Sequence, residues 1–179
     1  MHIVGLMSGT SGDGVDAALV DITGRDRSLK ARTLAAHTLA YPRSLQQRIL
    51  SASVSGTVAE VCHLNALLGE WFATAALRVI RQAKLQPSNV ALIGSHGQTL
   101  HHLPHGIHAP GVGAIRSTLQ IAEPAVIAER TGITTVANFR SRDIAAGGQG
   151  APLTPTAHAL LLKHARRARL VVNLGGISN

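Results

Sequence analysis

The chain has 179 residues, 45% hydrophobic and 15% charged, a composition that suits one ordinary globular domain and excludes a disordered tail. Seventeen Lys and Arg against nine Asp and Glu give a formal net charge of +8, but the excess is dispersed and aromatic residues make up only 2%. A solvated helix end around Arg166, Arg167 and Arg169, or a surface facing an acidic partner, fits that pattern better than a nucleic-acid interface, which needs a concentrated basic stripe and stacking rings, so no nucleic-acid partner is expected.

Residues 2–7 read as a short buried strand running into a Gly/Ser/Thr/Asp loop, residues 15–22 as a second strand, and a third is expected within residues 31–40. Strand, tight loop, strand, turn and strand make an antiparallel meander. With so few aromatics the core must come from Leu, Val, Ile and Ala, as in a buried sheet covered by helices. A short helix is expected over residues 43–52. A longer one starts at Thr57 and Glu60, which have capping-box spacing, and carries the stripe Val61, Leu64, Leu68, Phe72, Ala75 and Val79 to an end near Lys84. Cys62 and Trp71 on it read as packing residues. Cys62 is the single cysteine, which excludes an intrachain disulfide and fits a reducing cytosol.

Residues 90–93 form a compact apolar strand leading into a loop at 94–99. A weak strand at 117–122 follows a Pro/Gly-rich stretch, Pro124 opens a helix through Arg130, and residues 133–137 are a strand. A helix at 156–166 and a last strand at 170–174 complete the reading. That strand meets Gly175-Gly176 three residues before the end, and a strand abandoned at a hairpin tip has an unpaired edge, so the chain is expected to be part of a longer one. No signal-peptide pattern and no apolar run of about 20 residues occur, so no membrane association is expected.

Three segments could carry chemistry. In Gly9-Thr10-Ser11-Gly12-Asp13-Gly14-Val15-Asp16, glycines let backbone N–H groups converge on phosphate oxygens, Thr10 and Ser11 add donors, and Asp13 and Asp16 could hold Mg²⁺. The lysine of a Walker A loop is missing, and a glycine-rich hairpin without a ligand is the alternative. Gly94-Ser95-His96-Gly97-Gln98-Thr99 sits at a strand end, where His96 and Gln98 could bond sugar hydroxyls. His101, His102, His105 and His108 follow without a zinc-like spacing, so no metal site is expected there. From Asn138 to Pro155, Arg140 and Arg142 offer guanidinium forks for anionic oxygens. Asp143, between arginines and a glycine-rich turn, could act as a general base held ionised by its neighbours; a structural Arg–Asp bridge is the alternative.

Gly5-Leu6-Met7-Ser8-Gly9-Thr10-Ser11 with Asp13-Gly14-Val15-Asp16 resembles the opening of the anhydro-N-acetylmuramic acid kinase family. Gly94 to Thr99, then Phe139-Arg140 with Arg142-Asp143-Ile144 and Gly147 to Leu153, and finally Asn173 to Asn179 resemble three further family motifs, in family order. The resemblance implies an α/β chain: an RNase-H-like lobe of the actin-like ATPase fold, a mixed sheet with flanking helices, at 1–169, and the start of a second lobe at 170–179. It implies an ATP- and Mg²⁺-dependent cytoplasmic kinase, a homodimer, that opens 1,6-anhydro-N-acetylmuramic acid with water and phosphorylates its 6-oxygen. A lobe that binds muramic sugar or a partner chain without catalysis is the alternative. Residues Gly9 to Asp16 would cradle ATP phosphates, Asp143 would activate water, and His96, Gln98 and Arg140 would orient sugar or phosphate. Two departures stand out: Asn138 replaces an Asp common in the family, and family chains are about twice as long.

Overall fold

The computed structural model describes residues 1–172. Strands β1 (His2–Ser8), β2 (Gly14–Thr23) and β3 (Lys30–Ala40) form the expected antiparallel meander, with Met7 opposite Asp16 and Asp16 opposite Thr38. Helices α1 (Arg43–Ser55) and α2 (Val58–Gln82) then cross over the sheet and return the chain to β4 (Val90–Ala109), which pairs in parallel with β1. Next come β5 (Gly113–Ile121), α3 (Pro124–Thr131), β6 (Thr135–Ala137), α4 (Phe139–Ala145) and α5 (Thr154–Leu162). The sheet order is β3-β2-β1-β4-β5, and β6 pairs with β4 in parallel. Three antiparallel strands joined across a helical crossover to the parallel strands β4 and β6, with β5 added antiparallel to β4, make the mixed α/β sheet of an RNase-H-like lobe.

Helix α2 explains why one sheet face is dry. Thr57 caps it by accepting the Glu60 amide, 3.2 Å away, and the stripe Leu64, Leu68, Phe72, Ala75 and Val79 is fully buried. It packs on Val4, Leu6, Leu19 and Ala35 from the strands, each large side chain contributing about 2–3 kcal/mol on burial. Trp71 meets Tyr41 edge to face, ring centroids 5.5 Å apart. On the opposite face Met7, Asp16, Ala36 and Thr38 stay exposed. No helix among the described residues is long and apolar enough to cross a membrane.

Several boundaries differ from the sequence reading. Residues 94–99 are not a loop: β4 continues through them to Ala109, 20 residues in all, because β1, β6 and β5 bond its backbone along its length. Pro104 is tolerated where the β4–β5 register breaks, between Leu103 and Ile107, so no ladder bond is required of it. Strand β5 accordingly begins earlier than residue 117, and β6 is shorter than residues 133–137. The segment after β6, read as a loop, contains α4. Helix α5 ends at Leu162 instead of running to 166, and residues 170–172 form no strand. The remainder of that expected strand, the Gly175-Gly176 turn and the fourth motif lie outside the described residues.

Candidate active site

The first motif forms the β1–β2 connection. The Gly12 amide donates to Gly9 O at 3.1 Å, closing a turn in which the Thr10 and Ser11 amides donate to no protein group among the described residues. The connection is braced from beneath. Gln98 Nε2 donates to Gly9 O (2.8 Å) and to Thr99 O (3.2 Å), while the buried Ser8 hydroxyl offers its one proton to Gly14 O (2.6 Å) or Gln98 Oε1 (2.5 Å). From α1, Gln46 Nε2 reaches Ser11 O at 3.0 Å. Tyr41 underlies the same turn with its hydroxyl buried and, among the described residues, without a partner at hydrogen-bonding geometry. Burial chiefly pushes the Tyr41 pKa up; the nearby Ser8 hydroxyl opposes this and the Asp13 carboxylate adds to it.

The eight residues of this motif do not all face one way. Val15 is fully buried in the core, and Gly12 and Gly14 are buried as well. Asp16 lies exposed on the open sheet face and accepts from Thr38 Oγ1 at 2.6 Å, whereas Asp13 is exposed near Tyr41. The two carboxylates therefore do not converge, and no group of three His, Cys, Asp or Glu fit for a metal occurs among the described residues.

The second motif lies within β4, and its geometry turns on Gly97. Regular alternation would put His96 and Gln98 on one face. Gly97 has φ +75°, and a Cβ there would stand 2.6 Å from Ile121 O, so only glycine fits the bulge. The bulge shifts the phase: Ser95, Gly97 and Gln98 are buried, while His96 is half-buried and faces away. Gln98, 1% exposed and with both ends of its amide engaged, is a brace of the first motif and is not open to a ligand in this arrangement.

His96 instead meets the third motif. Arg140 is a pure donor, so its Nε–H points at the lone pair of His96 Nε2, 2.9 Å away. The imidazole is then neutral, with its proton on Nδ1, donated to Gly97 O at 3.0 Å. Burial holds the His96 pKa below 6.5; the Gly97 bond opposes this and the Arg140 charge reinforces it. The Arg140 Nη1 donates to Gly150 O. Arg140 thus ties β4 to the glycine-rich turn, with Nη2 bonded to nothing among the described residues.

Asp143 stands exposed on α4, whose first turn follows Asn138 in the left-handed region at φ +61°. Asn tolerates that conformation, and its Oδ1 accepts from Ser141 Oγ. The turn folds back so that the Gly150 amide donates to Asp143 Oδ2 at 2.7 Å. No salt bridge joins Asp143 to Arg140 or Arg142 among the described residues, so the structural Arg–Asp bridge is not formed. Asp143 Oδ1 has no partner among the described residues and remains available.

Three hollows connect these parts. One of about 470 Å³ over the open face brings Asp16, His96 and Phe139 together. Another of about 270 Å³ joins Thr10 to the β4 segment around Thr99, His101 and His102. The largest, about 700 Å³, lies beside Ser95, His96, Asn138 and Ser141. Sequence reading singled out the glycine-rich motifs but missed the roles of Ser8, Gln46 and Arg116, each of which acts across 6 to 35 residues of chain, without a local signal.

The family model for anhydro-N-acetylmuramic acid kinase matches residues 1–179. A protein of that name from Caldanaerobacter subterraneus subsp. tengcongensis is 52% identical over 99% of this chain and 45% of its own length. One from Gloeobacter violaceus is 51% identical over 98% and 46%, and one from Trichormus variabilis 46% identical over 99% and 45%. The chain therefore spans about half the length of the curated relatives it matches. A solved structure of Thermus thermophilus RuvC shares 14% identity and a TM-score of 0.39 over 94% of this chain and 85% of its own. A match from the first residue to the last, through all three described motifs, makes this chain a member of the anhydro-N-acetylmuramic acid kinase family.

Proposed function

We propose that these residues carry the phosphate-cradling and water-activating half of an ATP-dependent kinase that hydrolytically opens 1,6-anhydro-N-acetylmuramic acid and phosphorylates its 6-oxygen. The observation that carries the proposal is the Asp143 carboxylate: Oδ2 is held by the Gly150 amide while Oδ1 is available to take a proton from water. As the water oxygen bonds the anomeric carbon, the bond from that carbon to O6 breaks and its electron pair stays on O6. O6 then takes the γ-phosphoryl group of ATP, giving N-acetylmuramic acid 6-phosphate, ADP and a proton. The sugar must lie between the two loops for both events to occur in one complex.

ATP fits the first motif. The Thr10 and Ser11 amides and hydroxyls supply donors for phosphate oxygens; the brace on Gly9 O fixes the direction of the Thr10 amide before binding, and the brace on Ser11 O holds the far side of the turn. Mg²⁺ fits only as an ion carried largely by the phosphates, since Asp13 and Asp16 diverge and either could offer it one carboxylate. When bound, it neutralises phosphate charge. Residues Gly9, Gly12, Gly14 and Val15 shape the loop, Arg140 offers Nη2 to an anionic oxygen, and the neutral His96 orients Arg140. Gln98 supports the loop from below. A cytoplasmic location and a homodimer belong to the same reading, as do a lobe at 1–169 and the opening of a second at 170–179.

The test is a chimera in which residues 1–179 replace the matching portion of the Caldanaerobacter relative. Given Mg-ATP and 1,6-anhydro-N-acetylmuramic acid, it should yield the ring-opened sugar phosphate by mass spectrometry, and Asp143→Asn should abolish product while leaving ATP binding intact. A folded chimera without product, or normal turnover by Asp143→Asn, overturns the reading. Sugar binding with no ATP consumption would favour a non-catalytic binding lobe.

A further inference from the structure

The glycine-rich turn after α4 must point its Gly150 amide at Asp143, and glycines do not hold a backbone direction by themselves. The carbonyls of the turn show what does. Arg116, on β5, directs Nη1 to Gly147 O at 2.5 Å and to Gly148 O at 3.2 Å. Arg140 grips Gly150 O from the other side. Between these two anchors the chain also closes on α4 itself, with the Gly147 amide on Ile144 O (2.9 Å) and the Gly148 amide on Asp143 O (2.8 Å). Arg116 therefore links the turn to β5, 31 and 32 residues away in sequence, as Arg140 links it to β4.

We propose that Arg116 is a positioning residue: by holding the Gly147 and Gly148 carbonyls it sets the turn so that the Gly150 amide fixes one oxygen of Asp143 and leaves the other for water. The inference rests on the kinase reading for the role of Asp143, but the clamp can be measured without turnover. Both bonds come from Nη1, whose direction the planar guanidinium fixes; a lysine ammonium has donors enough but no plane to direct them, and a glutamine amide sits on a shorter arm. Arg116 is exposed on a strand, so its replacement leaves the core untouched.

The experiment has two arms. In the 179-residue chain, hydrogen exchange at the Gly150 amide is compared among the parent, Arg116→Gln and Arg116→Lys. Arg116→Gln should speed Gly150 exchange about tenfold with β1 and α2 amides unchanged, and Arg116→Lys should fall between. In the chimera, Arg116→Gln should lower kcat about tenfold with KM for ATP and sugar nearly unchanged, Arg116→Lys recovering part of the loss. Unchanged Gly150 exchange, or faster Gly150 exchange with unchanged kcat, overturns the proposal. An inactive parent chimera whose Gly150 exchange still depends on Arg116 counts against the kinase reading and supports the clamp.

Discussion

Replacing Gly148 with alanine would set a Cβ against the Asp143 carboxylate. The three heavy atoms nearest to that Cβ are all carboxylate atoms, and the farthest of them, Oδ1, would be 2.7 Å away. Gly148 is outside the left-handed region, so alanine can adopt its backbone and the collision alone decides the outcome. To reach ordinary contact the carboxylate must withdraw by roughly 1 Å, which turns Oδ2 away from the Gly150 amide; a misplacement of that size costs about 100-fold in rate. The lost hydrogen bond to a charged acceptor is worth about 1 kcal/mol in this partly buried setting. For a chain of this size that lowers Tm by about 2–4 °C. Turnover by the chimera and thermal unfolding of the 179-residue chain give the two readouts. Expected are a fall in kcat near two orders of magnitude and a small drop in Tm. A variant within twofold of the parent in kcat would show that the present position of the carboxylate is not the working one. Complete unfolding would show that the turn supports the fold as well as the site.

Two further predictions concern stability. Because the folded His96 pKa lies below 6.5, the unfolded imidazole binds a proton that the native one refuses, so stability is flat above pH 6.5 and is lost as pH falls through the folded pKa. His102, depressed first by burial and then by Arg140, acts in the same direction, so urea midpoints from about pH 5 to 8 should be compared for the parent, His96→Gln and His102→Asn, with His96→Gln flattening the slope. Thr57→Ala removes the α2 cap and should lower the urea-derived unfolding free energy by about 1 kcal/mol; no change would mean that the helix start finds another acceptor.

The legible parts of the fold are those fixed by local periodicity. Leu64, Leu68, Phe72 and Val79 announce α2 because each lies one helical turn or two from the next, and all are buried. The β1–β2 hairpin and its glycine-rich connection are legible for the same reason. Strand β4 is not, since Gly94, Gly97 and Pro104 are poor strand residues and only pairing with β1, β5 and β6 makes them extended. Gln98 shows the consequence for the site. The motif marks it as important, but without the Gly97 bulge no reading of the sequence could separate a ligand-facing glutamine from one that braces a loop. The tie from Arg116 to Gly147 has no local signal at all, because a side chain's grip on a distant carbonyl leaves no pattern in either segment.

The braces around both loops share one chemical feature. Gln98 and Ser8 act on Gly9 O and Gly14 O, Gln46 on Ser11 O, Arg116 on Gly147 O and Gly148 O, and Arg140 on Gly150 O. In every case a side-chain donor takes a backbone carbonyl. A held carbonyl sets the direction of the next residue's amide, which lies anti to it across the same planar peptide, and holds the backbone on either side of a free amide in place. At the first loop the hold on Gly9 O turns the Thr10 amide toward the proposed phosphate site, and at the second the holds on Gly148 O and Gly150 O flank the Gly150 amide that meets Asp143. Glycine supplies the freedom for such turns, but the donors that grip their carbonyls supply the direction. A substitution that removes a brace should therefore lower turnover more than stability, whereas one in the α2 stripe should do the reverse.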